Sequence, residues 1–279
     1  SWNLGFAVPE LRGAVRLVFA WFGGSSPSSL VRMIPVAVVG AAGRMGTTVC
    51  EAVEAAPDLE LVARYDLGDD LTTVVKTPAR VAVEFSVPDA VEANVHVLLD
   101  AGLHVVVGAT GWTPEALDRV RDHLAKRPDQ GVLIAPNFAS GMVLAMKFAA
   151  MAAPFFESAE VVELHHPNKV DAPSGTAKST AAGIAQARAA AGLGPMPDAT
   201  TMGFEARGTD LSGVHVHAVR LRGLVAHEEV LFGNPGEMLT IRHDSFDRIS
   251  FMPGVLIGIR KVASRPGLTV GLDAYLDLG

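Results

Sequence analysis

The fold is decided by the stretch Met33-Ile34-Pro35-Val36-Ala37-Val38-Val39-Gly40-Ala41-Ala42-Gly43-Arg44-Met45-Gly46, in which an apolar run passes directly into a glycine-rich turn. The apolar run predicts a buried first strand, with Pro35 near its beginning, where proline is tolerated. A helix is predicted to follow and to run to about Ala56. Three glycines at this spacing permit a tight turn, a close approach of the backbone to a pyrophosphate, and close packing of the helix on the strand. The stretch therefore indicates a dinucleotide-binding strand, turn and helix.

The second predicted strand, Leu59 to Tyr65, supports this interpretation because it ends at Asp66. In dinucleotide-binding folds an acidic residue ~20 positions after the glycines accepts hydrogen bonds from the adenine ribose hydroxyls. A carboxylate also repels the 2′-phosphate of NADPH, so Asp66 favours NADH. Arg44 and Arg64 would offset that repulsion, so NADPH stays open as a second cofactor. The dinucleotide-binding residues predicted here are Gly40, Ala41, Ala42, Gly43, Arg44, Met45 and Asp66.

Strand and helix continue to alternate as far as residue 134. Further strands are predicted at 80–85, 103–107 and 132–134, and helices at 89–101 and 113–125. The second of these helices has Thr113 at its N-cap and Pro114 at its first position, where both residue types are favoured. Repeated units of this kind predict an α/β fold with a doubly wound parallel sheet of Rossmann type, which binds ligands at the carboxyl ends of its strands.

The pattern changes after residue 138. A helix at 141–153, a strand at 159–164 and a helix from 175 to about 192 precede strands at 214–220, 223–232 and 237–243. Short strands separated by turns predict a mostly antiparallel sheet, and therefore a second domain of α+β type. A helix at 248–263 and a strand at 268–278 are predicted to return to the first domain. We therefore predict one domain at 33–138 plus 248–279 and a second at 139–247.

One loop concentrates groups that transfer protons or bind anions. It follows the predicted strand at 159–164 and reads Glu163-Leu-His-His-Pro-Asn-Lys-Val-Asp-Ala-Pro-Ser-Gly-Thr-Ala177. His165 and His166 belong to the residue type whose side chain ordinarily changes charge near neutral pH, and Lys169 is a cation. The Ser174-Gly175-Thr176 run would present free backbone N–H groups at a helix start, where an anion is stabilised. These groups suit a small substrate that carries carboxylates.

A histidine pair in a loop is, by itself, more often solvated surface or a local hydrogen-bonding device. Here Pro167 and Pro173 bracket the loop and restrict its backbone, and the Ser-Gly-Thr run follows at once. We therefore predict that this loop forms part of an active site.

The string Glu-x-His-His-x-x-Lys-x-Asp-x-Pro-Ser-Gly-Thr-Ala in this loop resembles the signature of the dihydrodipicolinate reductases, also called 4-hydroxy-tetrahydrodipicolinate reductases, of bacterial lysine and diaminopimelate biosynthesis. The resemblance covers nearly all of residues 33–279. It implies that NADH or NADPH supplies a hydride to the unsaturated ring of a cyclic imine dicarboxylate. It also implies a homotetramer, with residues 139–247 binding the substrate and forming the oligomer through the second sheet.

The resemblance also implies roles for individual residues. His165 is the candidate acid that protonates the reduced ring, and Lys169 supplies a positive charge and a proton donor beside the ring nitrogen, so both are predicted to be catalytic. Arg248 would lend charge across the cleft. The residues predicted to hold the substrate carboxylates are His166, Ser174, Gly175 and Thr176.

Two turns resemble cofactor-binding segments of the same family. Gly108-Ala109-Thr110 corresponds to a Gly-Thr-Thr that lies along the nicotinamide half, and Ala109 removes one hydroxyl but leaves the backbone contacts. Ala135-Pro136-Asn137-Phe138 corresponds to an Ala-x-Asn-Phe that closes over the nicotinamide. All of these residues are therefore predicted to bind the cofactor.

Composition excludes several classes of protein. The 279 residues are 49% hydrophobic and 19% charged, which is typical of a globular chain of one large or two ordinary domains. A net charge of −7 argues against binding to nucleic acid or to an anionic membrane. The single cysteine, Cys50, excludes an intrachain disulfide and fits the reducing cytoplasm. We interpret Cys50 as a small buried hydrophobic residue.

Residues 1–32 are predicted to be a disordered extension outside the fold. Their apolar patch, Leu17 to Phe22, is too short to span a bilayer. Basic residues before it and small residues after it also suit a signal peptide. The strand that begins directly after Met33 favours instead an upstream extension, with translation starting at Met33.

Four further histidines lie in the predicted second sheet, namely His215, His217, His227 and His243. His215 and His217 would share one face of a strand. No carboxylate or thiolate in the pattern completes a ligand set. We predict hydrogen-bonding roles for these residues and no metal site.

Two other functions fit parts of the pattern. Another two-domain Rossmann oxidoreductase, acting on an amino acid or a sugar, would share everything except the loop at 163–177. A non-catalytic NAD-responsive binding protein would be expected to lose His165 and Lys169, which are both present. The sequence does not distinguish the hydroxylated from the dehydrated form of the substrate.

Overall fold

The structure is a computed structural model. It describes residues 33–109 and 111–277, so the predictions for residues 1–32 and for Thr110 lie outside the described residues. Within these ranges the chain forms two β-sheets with helices packed against them. No helix in the described ranges is both long enough and apolar enough to cross a membrane.

The predicted elements are found to within a few residues, with one exception at the last strand. The strands are β1 (Ile34–Val39), β2 (Leu59–Tyr65), β3 (Val81–Glu84), β4 (His104–Val107), β5 (Gly131–Ile134), β6 (Ser158–His165), β7 (Thr209–Leu211), β8 (Val214–Arg220), β9 (Ala226–Asn234), β10 (Glu237–Ser245) and β11 (Gly267–Val270). The α-helices are α1 (Arg44–Ala55), α2 (Pro88–Asp100), α3 (Pro114–Ala125), α4 (Ser140–Ala152), α5 (Gly175–Ala190) and α6 (Met252–Lys261).

The first sheet has the order β2-β1-β3-β4-β5-β11, and all neighbouring strands in it are parallel. Its central strands are buried on both faces, which explains their continuous apolar sequences. The strand order reverses between β1 and β3, and the crevice beyond the carboxyl ends at such a reversal is where ligands bind. The predicted doubly wound parallel α/β sheet is confirmed.

The last strand is shorter than predicted. The sequence pattern predicts a strand over 268–278, but β11 ends at Val270. Gly271 follows with a φ of 99°, and its N–H donates to Ile134 O at 2.9 Å, so the chain turns there. A 3-10 helix at Asp273–Tyr275 then buries the Tyr275 ring completely. The apolar residues after Gly271 therefore enter the core through a helical turn.

The second sheet has the order β10-β9-β6-β8-β7. Among the strands of this sheet that the structure describes, β6 and β8 pair in parallel and the other three pairs are antiparallel, which confirms the mostly antiparallel sheet. Helix α5 packs on one face of this sheet, against β6 and β8. The hydrophobic core between α5 and the sheet includes Val161, Ile184, Val216, Val230 and Phe232.

The register of the second sheet brings distant residues together at the carboxyl end of β6. His165 lies opposite Ala226 of β9 and Arg220 of β8, while Glu163 lies opposite Glu228 of β9. Side chains alternate along a strand, so Glu163 and His165 share the face covered by α5, here called the inner face. Glu160 lies on the opposite, outer face.

Candidate active site

A cleft of about 780 Å³ lies beyond the carboxyl ends of strands β1 to β4. The predicted cofactor-binding residues that line it are Gly40, Gly43, Arg44, Met45, Asp66, Gly108 and Ala109. His166 and Arg248 line the same cleft, although both come from later in the chain. Ala41 forms part of the turn, and its N–H donates to Tyr65 O at 3.0 Å. The structure thus brings the glycine-rich turn, Asp66 and His166 to one cleft.

The glycine-rich turn after β1 leaves no room for side chains at two positions. Gly40 has a φ of 77°, and a Cβ there would lie 2.7 Å from Phe85 O. A Cβ at Gly46 would lie 1.9 Å from Gly40 O. Helix α1 begins next, with no side-chain N-cap and no acidic residue in its first turn among the described residues. Its first N–H groups are therefore available to a phosphate, which fits the pyrophosphate of a dinucleotide.

Asp66 is held at the edge of this cleft by backbone donors. Its Oδ2 accepts from Ala42 N at 2.6 Å, and its Oδ1 accepts from Leu67 N at 2.8 Å. These two hydrogen bonds, from Leu67 and Ala42, lower the pKa of Asp66, so the carboxylate is charged at neutral pH. Arg64 pairs with Glu54, whereas Arg44 lines the cleft. A fixed negative charge beside a glycine-rich turn fits an adenine ribose with free hydroxyls.

A buried carboxyl beneath the cleft was not predicted from the sequence. Glu84 ends β3 with no accessible surface, and its Oε1 accepts from Ser86 N and Asn94 Nδ2, both at 3.2 Å. Burial raises the pKa of Glu84, against the effect of these hydrogen bonds. Ser86 and Asn94 line the cleft, so Glu84 orders polar groups in its wall. The signal in the sequence is an acid at the carboxyl end of an apolar strand.

The segment from Ala135 to Phe138 contributes to a second cavity, of about 30 Å³. Ala135 and Phe138 are buried in the core and Pro136 is exposed, while Asn137 lines the cavity. Asn137 Nδ2 donates to Thr176 Oγ1 at 3.2 Å, which ties this segment to the start of α5. The cavity is also lined by His165, Thr176, His227, Glu228 and His243.

The two adjacent loop histidines line different cavities. His165 lines the small cavity and His166 lines the large cleft. The Nδ1 atom of His166 is buried and has no hydrogen-bond partner among the described residues, so it is available to a bound molecule. The pair predicted from the sequence is therefore divided between the dinucleotide cleft and the inner face of the second sheet.

Glu163 holds the ring of His165, a role that was not predicted from the sequence. Its Oε2 accepts from His165 Nδ1 at 2.5 Å and from Arg220 Nη1 at 2.8 Å. Its Oε1 accepts from Arg220 Nη2 at 2.7 Å and from Ser174 N at 3.0 Å. Glu163 has no accessible surface, so these donors replace its hydration.

The charges of this group follow from its contacts. Burial raises the pKa of Glu163, but hydrogen bonds from Arg220 and His165 outweigh burial and bring the pKa below its usual value. For His165, burial is the largest influence and lowers the pKa, Glu163 opposes it, and Lys169 and Arg220 add to the lowering. Glu163 is therefore a charged carboxylate, and it accepts a hydrogen bond from His165, whose pKa lies below the usual histidine value.

The side chain of Lys169 and the backbone N–H of Ser174, both predicted to face the substrate, have partners within the protein. The ammonium of Lys169 lies 2.7 Å from Asp171 Oδ1. The N–H of Ser174, which was predicted to be free, donates instead to the buried Glu163 carboxylate. Ser174 Oγ caps α5 by accepting from Ala177 N at 3.1 Å. The anion donors that remain at this helix start are the N–H groups at the next two positions, 175 and 176.

Two of the four histidines of the second sheet, His217 and His227, form the predicted hydrogen bonds, whereas the buried Nδ1 of His215 has no partner among the described residues. His217 Nε2 lies 2.7 Å from Glu160 Oε2, and His227 Nδ1 lies 2.7 Å from Asp244 Oδ1. Across residues 33–109 and 111–277, no group of three or more His, Cys, Asp or Glu side chains is arranged to hold a metal ion. Cys50 is buried in the core, and burial raises the pKa of its thiol.

Glu228 is a buried acid on the inner face, and within the described part of the chain its side-chain partner is a hydroxyl instead of a basic group. It lies opposite Glu163, and its Oε1 is 2.5 Å from Thr180 Oγ1. Burial raises the pKa of Glu228 to about 7. The inner face therefore carries two carboxyl groups on adjacent strands, one with a lowered pKa and one with a raised pKa.

Comparison with known proteins gives the same family for the N-terminal and the C-terminal half of the described chain. The family model for the N-terminus of dihydrodipicolinate reductase matches residues 34–138, and the model for its C-terminus matches residues 141–276. The 4-hydroxy-tetrahydrodipicolinate reductase of Beutenbergia cavernae is 64% identical over 246 residues, which are 88% of this chain and 99% of that protein. The reductase of the same name from Nocardia farcinica is 60% identical, with the same coverage of both chains.

Solved structures agree with this comparison. The dipicolinate-bound dihydrodipicolinate reductase of Paenisporosarcina sp. TG-14 superposes with a TM-score of 0.76 at 33% identity, covering 87% of this chain and 99% of that one. The apo scyllo-inositol dehydrogenase of Lactobacillus casei superposes with a TM-score of 0.58 at 10% identity, covering 88% of this chain and 92% of that one, and therefore shares the fold alone.

Proposed function

Because the chain belongs to the dihydrodipicolinate reductase family, whose members are NAD(P)H-dependent oxidoreductases, we propose that it reduces 4-hydroxy-tetrahydrodipicolinate to tetrahydrodipicolinate in lysine and diaminopimelate biosynthesis. The observation that carries the proposal is the family match across both halves of the chain. It is supported by the large cleft and the small cavity, which the adjacent residues His166 and His165 line.

The chain's own residues bind, orient and protonate in this reaction. Bound in the large cleft, the reduced dinucleotide supplies the hydride. In this reaction the 4-hydroxyl group of the substrate leaves as water. His165 protonates the electron-rich ring that hydride addition produces, and Lys169 supplies positive charge beside the ring nitrogen. The carboxylates of the cyclic substrate are held by the free N–H groups of Gly175 and Thr176, next to the Ser174 cap of α5, and by His166. This arrangement binds a small dicarboxylate beside the cofactor.

NADH is the preferred cofactor in this proposal, with NADPH as the alternative. Asp66 is charged and held in place by Ala42 N and Leu67 N, so it accepts from ribose hydroxyls and repels a 2′-phosphate. Leu67 is fully exposed and brings no compensating charge. Arg44 in the cleft is the residue that would permit NADPH.

The protein acts in the cytoplasm as a homotetramer in this proposal. Two features support an assembly through the second sheet: its outer face is not covered by α5, and apolar Val162 and Leu164 are partly exposed there. The same proposal divides the chain into a dinucleotide-binding domain at 33–138 plus 248–279 and a substrate-binding and oligomerisation domain at 139–247.

The decisive experiment follows NADH oxidation with substrate generated in situ from pyruvate and aspartate semialdehyde by the preceding synthase. The same assay with NADPH ranks the two cofactors, and omission of the synthase is the control. We expect rapid turnover with NADH. Binding of NADH without oxidation would contradict the proposal and favour a non-catalytic NAD-responsive protein.

A further inference from the structure

The carboxylate of Glu163 is the common acceptor for three parts of the second domain. It accepts from His165 Nδ1 on its own strand, from both Nη atoms of Arg220 on β8, and from Ser174 N at the start of α5. Arg220 Nη2 also donates to Asp171 O in the loop, at 2.7 Å. One buried carboxylate thus joins the candidate acid, the loop and the anion-binding helix start.

The contact fixes the tautomer of His165. An ionised carboxylate only accepts hydrogen bonds, so the Nδ1 atom that faces Glu163 must carry a proton. Nε2 is then the ring position at which a transferred proton is gained and lost. When Nε2 is also protonated, the positive imidazolium lies directly against the negative Glu163.

We propose that Glu163, clamped by Arg220, is a positioning residue that holds His165 with Nδ1 protonated and with Nε2 as the nitrogen that delivers the proton. This inference rests on the proposed function and deepens it. The bidentate contact with Arg220 prevents the carboxylate from rotating away from the ring. The bond to Ser174 N keeps the helix start at a fixed distance from the same ring.

The chain contains a matched control for this role. Glu160, on the outer face of the same strand, is also bonded to one arginine and one histidine, Arg207 and His217. Its side chain keeps 31% of its accessible surface, whereas that of Glu163 keeps none. Glu160→Gln and Glu163→Gln make the same chemical change to β6, but Glu163 is the one that contacts His165.

The charged and titratable groups around His165 are Glu163, Lys169, Arg220, His227, Glu228 and His243. Among them, Glu163 is the group that raises the pKa of His165, while Lys169 and Arg220 lower it. Loss of the Glu163 charge therefore lowers that pKa further. The fall of kcat with rising pH, set by loss of the imidazolium, moves to lower pH.

The test compares Glu163→Gln with Glu160→Gln in the full-length enzyme. We expect Glu163→Gln to lower kcat on the order of 100-fold at neutral pH. The fall of kcat with rising pH should move to lower pH, and the KM for NADH should stay unchanged. Glu163→Asp keeps the charge and should restore part of the high-pH activity. Glu160→Gln should match the wild type in both kcat and pH profile.

A second measurement reads the tautomer directly. Ring ¹⁵N signals of His165, assigned with a His165→Gln variant, should show a protonated Nδ1 in the wild type and in Glu163→Asp, and a loss of that preference in Glu163→Gln. An unchanged tautomer and pH profile in Glu163→Gln would overturn the inference. If the wild type did not oxidise NADH, the proposed function would fail, while the ¹⁵N signals would still decide whether Glu163 sets the tautomer.

Discussion

The two faces of strand β6 carry the same three residue types with different consequences. On the outer face Glu160 contacts Arg207 and His217, and each of these side chains keeps between 26% and 31% of its accessible surface. On the inner face Glu163 contacts Arg220 and His165, and Glu163 keeps no accessible surface. The comparison teaches that an Arg–Glu–His group is not by itself a site, because burial decides what the group controls.

Burial acts by changing how many donors the carboxylate requires. The outer carboxylate is partly hydrated, so water replaces any partner that is lost, and such pairs contribute little to stability. The inner carboxylate has no water to rely on, so it recruits a backbone donor, Ser174 N, in addition to the two side chains. That extra contact is what links the ion pair to the start of α5.

The largest effect should come from removing the histidine of the inner group. We expect His165→Ala, and likewise Lys169→Ala, to lower kcat by ~10²–10⁴-fold, because each removes a proposed proton donor. His217→Ala removes the matching outer histidine and should retain wild-type kcat. Steady-state NADH oxidation measures all three variants, and near wild-type kcat in both of the first two would remove their catalytic roles.

The next largest effect concerns stability. Arg220→Gln leaves the buried Glu163 carboxylate without its bidentate partner and should lower the free energy of unfolding by about 3–5 kcal/mol. Arg207→Gln, its outer counterpart, should lower it by less than about 1 kcal/mol. Urea unfolding of the two variants measures the difference directly. Equal losses would mean that burial does not separate the two faces.

The inner group also marks the limit of prediction from sequence. The strand at 158–165 and the helix from Gly175 were predictable because apolar periodicity and the Ser174 cap are local signals. The contact between Glu163 and Arg220 was not, because these residues are 57 positions apart and meet only through the parallel pairing of β6 with β8. That register is set by packing of the whole sheet, which no local pattern specifies.

Loop geometry limits prediction in a similar way. The residue types of the loop at 163–177 predicted that it forms part of an active site. Nothing in the sequence indicated that the adjacent residues His165 and His166 line separate cavities. Ser174 was predicted as a free donor, although the buried carboxylate beside it takes its N–H. In the first sheet the Gly40 turn and Asp66 were predictable, because one strand and one helix bring them together.

A smaller effect is expected at Glu228, which is also on the inner face but is bonded to a hydroxyl instead of an arginine. Its folded pKa of about 7 lies above its unfolded value. A raised carboxyl pKa favours folding at low pH, and that contribution is lost as pH rises from the unfolded pKa towards 7, a loss of about 2–3 kcal/mol. Glu228→Gln should therefore be more stable than the wild type at pH above about 7, and equal to it near the unfolded pKa.

Urea unfolding at a series of pH values tests this expectation. Glu229→Gln is the control, since Glu229 is the next residue, keeps part of its surface and pairs with Arg242 at 2.9 Å. That variant should not gain stability as the pH rises. A difference between wild type and Glu228→Gln that stays constant with pH would show that Glu228 is charged in the folded protein.

The smallest effect is expected at Asp66, whose carboxylate is exposed and held by backbone N–H groups instead of an arginine. Asp66→Asn keeps an oxygen that accepts from Ala42 N but removes the charge that repels a 2′-phosphate. The ratio of kcat/KM for NADPH to that for NADH should rise ~10-fold, an energy of about 1.4 kcal/mol. Asp70→Asn is the matched control, because this substitution removes an equal charge four residues away. The Asp70 side chain caps a 3-10 helix by accepting from Thr72 N. If both variants changed the ratio equally, the preference would come from net charge near the cleft, and the specific placement of Asp66 at the end of β2 would not be what selects NADH.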